Sequence, residues 1–499
     1  MSLLTIEPGT QVLMTGAYEI AVLSTIQATG TAAAPILFAA KDPMMPWKGF
    51  YFESTPSGSV FAYATIRDAS SSAITLLNSA APQISNCTFR NNTNTSGPGG
   101  AINATGVTSN MDLSNCILSG NTAATNGGAL HINLNEGFTL TVSDSTFDQN
   151  TANPGQTDVS SVGGALWLEA GDATISRSQF INNLVNSACC GSFSCGVYAQ
   201  GGAIFIGAGT VTVENSQFTH NSLNALNCEG NGCFFGGNTV TYGAGIFVSS
   251  GTVTLSNNIL ACNTMTGTAC GRSSAGEGLY VNGGTVAVTN DTVARNADST
   301  GVAQGGGTLA MSNSIVYFNN GDQTQLGGTV TVSYSDVQGG VTGTGNINFN
   351  PVFAGTGCTA ADLTIVPGSP AIDAGNPDLQ YNDACFPPSL GTSDATKTLN
   401  DMGAFGGPGA CGWPMPLPSS GCFENVDCKS PAYPYCGPDG QCWSQPCTNI
   451  CAGGTVCCGG SFPYCGPDGT CWNGPCSTLC GSTCCGPTQQ CMSNGTCTS

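Results

Sequence analysis

An all-β solenoid of short strands wound into stacked coils, followed by small disulfide-rich modules, is the fold class this sequence predicts. Three observations point to it: a block ending in Phe-x-x-Asn or a close variant that recurs along the chain, period-two alternation inside each block, and 16 cysteines crowded between Cys422 and Cys497. Composition agrees with them. Charged residues make up only 8% of the 499, against about 25% in an ordinary globular domain, while glycine reaches 70, so long charged helices have no support.

Taken in order, residues 1–84 read as opening coils. LTIEPGTQVLMTG alternates like strands from Leu3 onward, and no basic start, apolar core or cleavage site precedes it, so the expectation is a mature fragment, a piece cut for expression or a misassigned start, with no export signal in this chain. Residues 85–345 carry the repeats. Aligned on the Phe column they read SNCTFRNN at Ser85, SNCILSGN at Ser114, SDSTFDQN at Ser143, SRSQFINN at Ser176, ENSQFTHN at Glu214, SNNILACN at Ser256, TNDTVARN at Thr289 and SNSIVYFN at Ser312, with a worn ninth copy at Ser333. Six of these follow a glycine-rich opening such as Gly127-Gly128-Ala129-Leu130. Fixed columns at this period mean stacked repeats. Inside a unit, Val211 and Val213 alternate with Thr210 and Thr212, the pattern of a strand with one buried face. Three short strands per unit without a helical stretch fit coils stacked at about 4.8 Å, a parallel β-helix. The Phe/Leu/Val column would stack inside, and the terminal column (Asn92, Asn121, Asn150, Asn183, Asn221, Asn263, Asn296, Asn319) would form an amide ladder at a corner, where Asn tolerates left-handed backbone.

The paired GGA[IL] and Phe-x-x-Asn motifs resemble the repeat region of chlamydial polymorphic outer-membrane proteins and of many bacterial right-handed parallel β-helix proteins. NPVF at Asn350, SPAIDAGNPD at Ser369 and DMGAFGG at Asp401 resemble the closing segment of secreted β-helix proteins, which gives 346–412 as a closing segment. The acidic residue usual after that GAF is Gly406 here. The resemblance implies the right-handed form and a secreted or cell-surface location; it leaves activity open, because one fold hosts many functions.

Insertions between the Asn column and the next glycine opening are longest at 184–200 and 222–242. All leave one corner, so they must lie side by side. Phe193, Tyr198, Phe234, Phe235 and Tyr242, with Cys189, Cys190, Cys195, Cys228, Cys233 and Cys270 nearby, are candidates for a stiffened ledge that presents aromatics to a sugar or a protein, or for loops that merely pack on one another. Cys87 and Cys116 share a column on adjacent coils, a separation compatible with a disulfide. Outward threonines (Thr139, Thr141, Thr174, Thr210, Thr212, Thr252, Thr254, Thr285, Thr308, Thr329, Thr331) would form a ladder resembling the ice-binding face of some β-helices, although Thr is favoured outside any sheet.

An enzyme on this fold would be a polysaccharide lyase or a glycoside hydrolase, and hydrolysis needs two carboxylates about 5 to 9 Å apart. Asp144, Asp148 and Asp172, near Arg177, are the best candidates, and solvated or ladder-capping acids explain them equally. Polygalacturonase-type GHG and RIK signatures are missing, and nine Lys and Arg are few for gripping an anionic polymer.

After a Pro-rich linker at 413–421, residues 422–499 form cysteine-rich repeats too small for a core without staples. YPYCGPDGQCW at Tyr433 and FPYCGPDGTCW at Phe462 are near copies. The C…C…CC…C…C order of the second and third units resembles a cystine-knot framework. That resemblance implies Cys447–Cys458, Cys451–Cys465 and Cys457–Cys471, then Cys476–Cys485, Cys480–Cys491 and Cys484–Cys497, whereas six cysteines by themselves allow 15 pairings. The first unit is more similar to Dickkopf N-terminal modules, and a faint likeness to hevein modules makes Trp443 and Trp472 candidate sugar-stacking residues.

Net charge and cysteine count bound the partners. A charge of −20 repels nucleic acid and anionic membranes, and no apolar run is long enough to span a bilayer. With 28 Cys and only His131 and His220, the cysteines read as disulfides outside a reducing cytosol; no metal and no cofactor is expected. The resulting expectation is an adhesion, recognition or envelope-structure protein whose partner is a polysaccharide or a cell-surface protein.

Overall fold

The computed structural model describes residues 3–413 apart from 154, 156–159, 190–196, 228–238, 268–272, 320–324, 367 and 384–398, and within 414–499 the backbone of short strand pairs. The chain divides into two units, residues 1–413 and 414–499. Among the described residues no helix is long and apolar enough to cross a membrane.

The first unit is a right-handed parallel β-helix. Two sheets of 12 parallel strands and a third of 11 run its length. In one coil, Thr139–Ser143 belongs to the first sheet, Thr146–Asp148 to the second and Leu166–Ala170 to the third. Leu140, Val142, Phe147, Leu166 and Leu168 point inward and are fully buried, as the period of two requires. Parallel register repeats each side chain above its equivalent, so the inner column stacks ring on ring: Phe147 to Phe180 at 4.5 Å and Phe180 to Phe218 at 4.9 Å. The six opening glycines sit at φ between 62° and 69°, and a Cβ on Gly127 would strike the Leu130 carbonyl, which explains why the chain repeats glycine there.

The asparagine ladder runs without a break. Each amide Nδ2 donates to the next Oδ1, from Asn92 to Asn121 (3.0 Å) through to Asn296 and Asn319 (2.8 Å), and all eight side chains are buried. One expectation is corrected. The left-handed residue is the one before each ladder Asn (Asn91, Gly120, Gln149, Asn182, His220, Cys262, Arg295, Phe318), and the ladder residues themselves keep negative φ because their amides must point inward along the stack.

A second polar ladder fills the corner between the first two sheets. There Cys116, Ser145, Ser178, Ser216, Asn258, Asp291, Ser314 and Ser335 each give a backbone N–H to the next polar side chain, at 2.7 to 3.2 Å. Cys87 and Cys116 belong to this column, and they are free buried thiols rather than the expected disulfide. In-register stacking sets equivalent atoms of adjacent coils about 4.8 Å apart, against about 2 Å for a sulfur–sulfur bond. Each thiol lies against a carbonyl, Ser85 O at 3.2 Å and Ser114 O at 3.3 Å, as Ser145 Oγ lies on Ser143 O. Burial pushes their pKa values up to about 12 and about 11, so both stay protonated.

The insertions do lie side by side. They build two further parallel sheets, one holding Leu184–Cys189, Ser222–Asn227 and Thr264–Gly267 and the other Val197–Gln200, Thr239–Tyr242 and Ser273–Ala275. Val185, Ala199, Leu223, Ala225 and Met265 pack between them, making a fin along one corner. The closing segment returns along the second sheet. Outward Ile259, Ala261, Ala294, Ile315 and Tyr317 are buried under Cys358, Leu363, Ile365, Ala371, Met402 and Ala404. Left-handed Asn215, Asn257 and Asn290 donate to the carbonyls of Gly409, Ala404 and Asp401 at 2.8 to 3.0 Å, and a Cys262–Cys358 disulfide clasps the segment. At Gly406, a Cβ would strike the Asp401 carbonyl, so this departure from the usual acidic residue has a steric cause.

Candidate functional site

The residue after each GGA[IL] opening points out of the third sheet, and successive coils bring His131, Trp167, Phe205, Phe247 and Tyr280 into one register column. The strand spacing of about 4.8 Å is also a ring-stacking distance. His131 stacks on Trp167 at 4.3 Å, and Phe205, Phe247 and Tyr280 stack at 5.0 and 5.5 Å. No ring contact joins Trp167 to Phe205 among the described residues, so the Trp167 face turned away from His131 has no ring partner. Both residues are half-buried.

The fin forms the wall of this stripe. In its Val197–Gln200 and Thr239–Tyr242 strands, Ala199 and Thr241 face the fin interior, which by alternation sends Tyr198, Gln200, Val240 and Tyr242 to the opposite face. Tyr242 lies flat on Tyr280 at 4.1 Å, which fixes that face against the stripe, and its hydroxyl shares a hydrogen bond with Ser273 Oγ at 2.7 Å. An inside corner results, with an aromatic floor and a Tyr198–Gln200–Tyr242 wall.

One carboxylate lies beside the stripe on the outward face of the third sheet. The third sheet carries a bulge at Glu169, the extra residue between the pairs Ile132–Leu168 and Asn133–Ala170, and bulges of this kind re-aim side chains. Glu169 Oε2 accepts from His131 Nε2 at 2.9 Å and from Asn133 Nδ2 at 3.0 Å, with 42% of its side chain exposed. His131 is buried, and its Nδ1 lies 2.7 Å from the Asn103 side-chain amide. Burial lowers the His131 pKa against the opposing pull of Glu169. Nδ1 faces the Asn103 Oδ1 and Nε2 the Glu169 carboxylate, both acceptors, so the ring donates to both at once only when it is protonated. With both nitrogens engaged, His131 orients Glu169.

Of the aromatics expected on a ledge, Tyr198 is 48% exposed on the wall and Tyr242 is packed on Tyr280; Phe193, Phe234 and Phe235 lie outside the described residues. The three acids do not converge. Asp144 accepts a bidentate pair from Arg177 at 2.7 Å, Asp148 accepts from Asn182 Nδ2 at 3.1 Å on the outside of the second sheet, and Asp172 accepts the Thr210 N–H at 2.8 Å at the edge of the first. Each is committed to a corner or a strand end. The outward threonines do form two columns on the first sheet, broken by Asp172, Ala287 and Ala310.

In the second unit, Tyr435–Cys436 pairs with Cys442–Trp443 and Tyr464–Cys465 with Cys471–Trp472, so each Trp stands opposite a Tyr in the backbone register. Cys457, Cys458, Cys480, Cys484, Cys485, Cys491 and Cys497 lie in similar antiparallel pairs. Cys447, Cys451 and Cys476 lie outside the described residues, as do five of the six loop cysteines; the sixth, Cys189, ends a strand of the fin.

Residues 48–240 match the family model described as a right handed beta helix region. The matched span covers the coils from Lys48 to the fin, including His131, Trp167 and Phe205. No curated protein and no solved structure matches the chain.

Proposed function

We propose that this is a secreted or cell-surface recognition protein that binds a carbohydrate chain in the corner between the third sheet and the fin. The observation that carries the reading is the half-buried Trp167, stacked on His131 and with no second ring partner among the described residues, beside the oriented and partly exposed Glu169 carboxylate. Sugars offer apolar C–H faces and hydroxyl donors together, which a Trp face and a carboxylate complement. Among the described residues Glu169 is the exposed carboxylate beside Trp167, and Asp144, Asp148 and Asp172 are tied up elsewhere, which favours binding over hydrolysis. Glu169 and the net charge of −20 disfavour polyanionic chains and point to neutral glycans.

The test is a panel of soluble and insoluble polysaccharides in which retention and released reducing or unsaturated ends are measured in the same tubes. Retention on a neutral polymer without released ends is the expected result. Released ends would replace the reading with the lyase or hydrolase alternative.

A further inference from the structure

We infer that His220, Cys262 and Cys358 form a zinc-binding site in the reduced protein, at the clasp between the coils and the closing segment. His220 and Cys262 occupy the same left-handed corner position on successive coils, at φ 57° and 52°. Cys358 arrives from the closing segment, its Cα 6.1 Å from that of Cys262. The ring nitrogen and the two sulfurs all lie within 4.8 Å of one another, and His220 is exposed while Cys358 is buried.

Around a tetrahedral zinc, with Zn–S about 2.3 Å and Zn–N about 2.0 Å, ligand atoms stand roughly 3.5 Å apart. Three side chains already gathered this closely need only small rotations once the sulfurs are no longer bonded. Two thiolates and an imidazole select zinc over hard cations such as calcium or magnesium. The exposed His220 side leaves the fourth position to water, the Cys₂His arrangement with one open site.

The two states are alternatives. An external dithiol reduces the Cys262–Cys358 bond, giving two thiols while its own sulfurs form a disulfide. Zinc then binds the two thiolates and the neutral imidazole, and two protons are released. Either bond holds the closing segment over Ile259, Ala261 and Ala294. The site is independent of the carbohydrate reading.

The experiment uses the full chain, reduced with a dithiol and alkylated with N-ethylmaleimide in Zn²⁺ or in EDTA, with modification followed cysteine by cysteine in peptide mass spectra. This readout separates Cys262 and Cys358 from the tail cysteines, which can bind zinc on their own. Zinc is expected to slow alkylation of both residues at least tenfold, His220→Ala to abolish most of that protection, and His220→Cys, which supplies a third thiolate, to keep it. Unchanged alkylation of Cys262 and Cys358 in zinc, or protection that survives in His220→Ala, overturns the proposal.

Discussion

Replacing Asp291 by Asn is expected to stabilise the protein, and to do so more as the pH rises. Asp291 is fully buried in the second polar ladder, where Oδ1 accepts from Asn258 N at 2.7 Å and Oδ2 has no partner. Burial raises its pKa from 3.8 to about 8, against the smaller opposing effect of the Asn258 N–H. The sign follows from proton linkage. Below about pH 4 the carboxyl is neutral both folded and unfolded, and its ionisation costs nothing. Between pH 4 and 8 only the unfolded chain ionises, so stability falls by about 1.4 kcal/mol per pH unit; above 8 the loss is constant. The total is roughly 5 kcal/mol, an upper figure for a site that can relax. An amide is neutral throughout and places an N–H donor where the unpaired Oδ2 acceptor stands, as Asn258 Nδ2 one coil earlier donates to Val213 O at 2.9 Å. Urea unfolding of wild type and Asp291→Asn at pH 4, 6 and 8 checks this. Other raised carboxyls, among them Glu277 at about 8 and Asp383 at about 7, slope both proteins alike, so the difference between the curves isolates residue 291. A difference that does not grow between pH 4 and 8, or a variant less stable than wild type at pH 8, would refute the reasoning.

Other outcomes follow from the same contacts. Asn183→Leu removes the acceptor of Asn150 N and Nδ2 and the donor to Phe147 O and Asn221 Oδ1, and is expected to cost about 4 kcal/mol in denaturant unfolding, since each stranded buried group costs about 1 to 3. Asp144→Ala breaks a bidentate pair whose partners are 36% and 40% exposed; a change under about 1 kcal/mol and unaltered polysaccharide retention are expected. Cys262→Ser in the oxidised protein should raise amide exchange across residues 351–413 while the coils before Asn215 keep their protection, with a loss of about 2 to 4 kcal/mol. Trp167→Ala should lower retention on a neutral polysaccharide at least tenfold without opening the asparagine ladder, read by amide exchange at 183–185.

Repetition made the fold legible. A period of two and a terminal Asn recur on eight coils and a glycine opening on six, and in-register stacking converts each sequence column into a physical one, as the Phe and Asn ladders show. The same logic would have exposed the aromatic stripe, because His131, Trp167, Phe205, Phe247 and Tyr280 occupy a column one residue past the glycine openings. Their alternation places them outside, where aromatics read as scattered until their register is aligned. Glu169 was hidden for a different reason: a bulge breaks the period that sequence reading relies on. The course of the closing segment left a trace in Ile259 with Ala261 and Ile315 with Tyr317, outward pairs that are apolar at both positions, where each earlier coil from Thr88 to Thr219 carries at least one polar residue. Its clasp left none, since Cys262 and Cys358 are 96 residues apart with no shared motif. Cys87 and Cys116 show the converse: a shared column reads as a bridge, but parallel stacking sets side chains above one another rather than facing.

The most direct measurement of the recognition claim is amide hydrogen exchange on the full chain with and without the polysaccharide that retains it. Slowed exchange confined to 166–170 and 197–206, the strands carrying Trp167, Glu169, Tyr198 and Phe205, is the predicted result. Protection on the threonine face of the first sheet, or within 435–472 alone, would contradict it and place binding outside the corner.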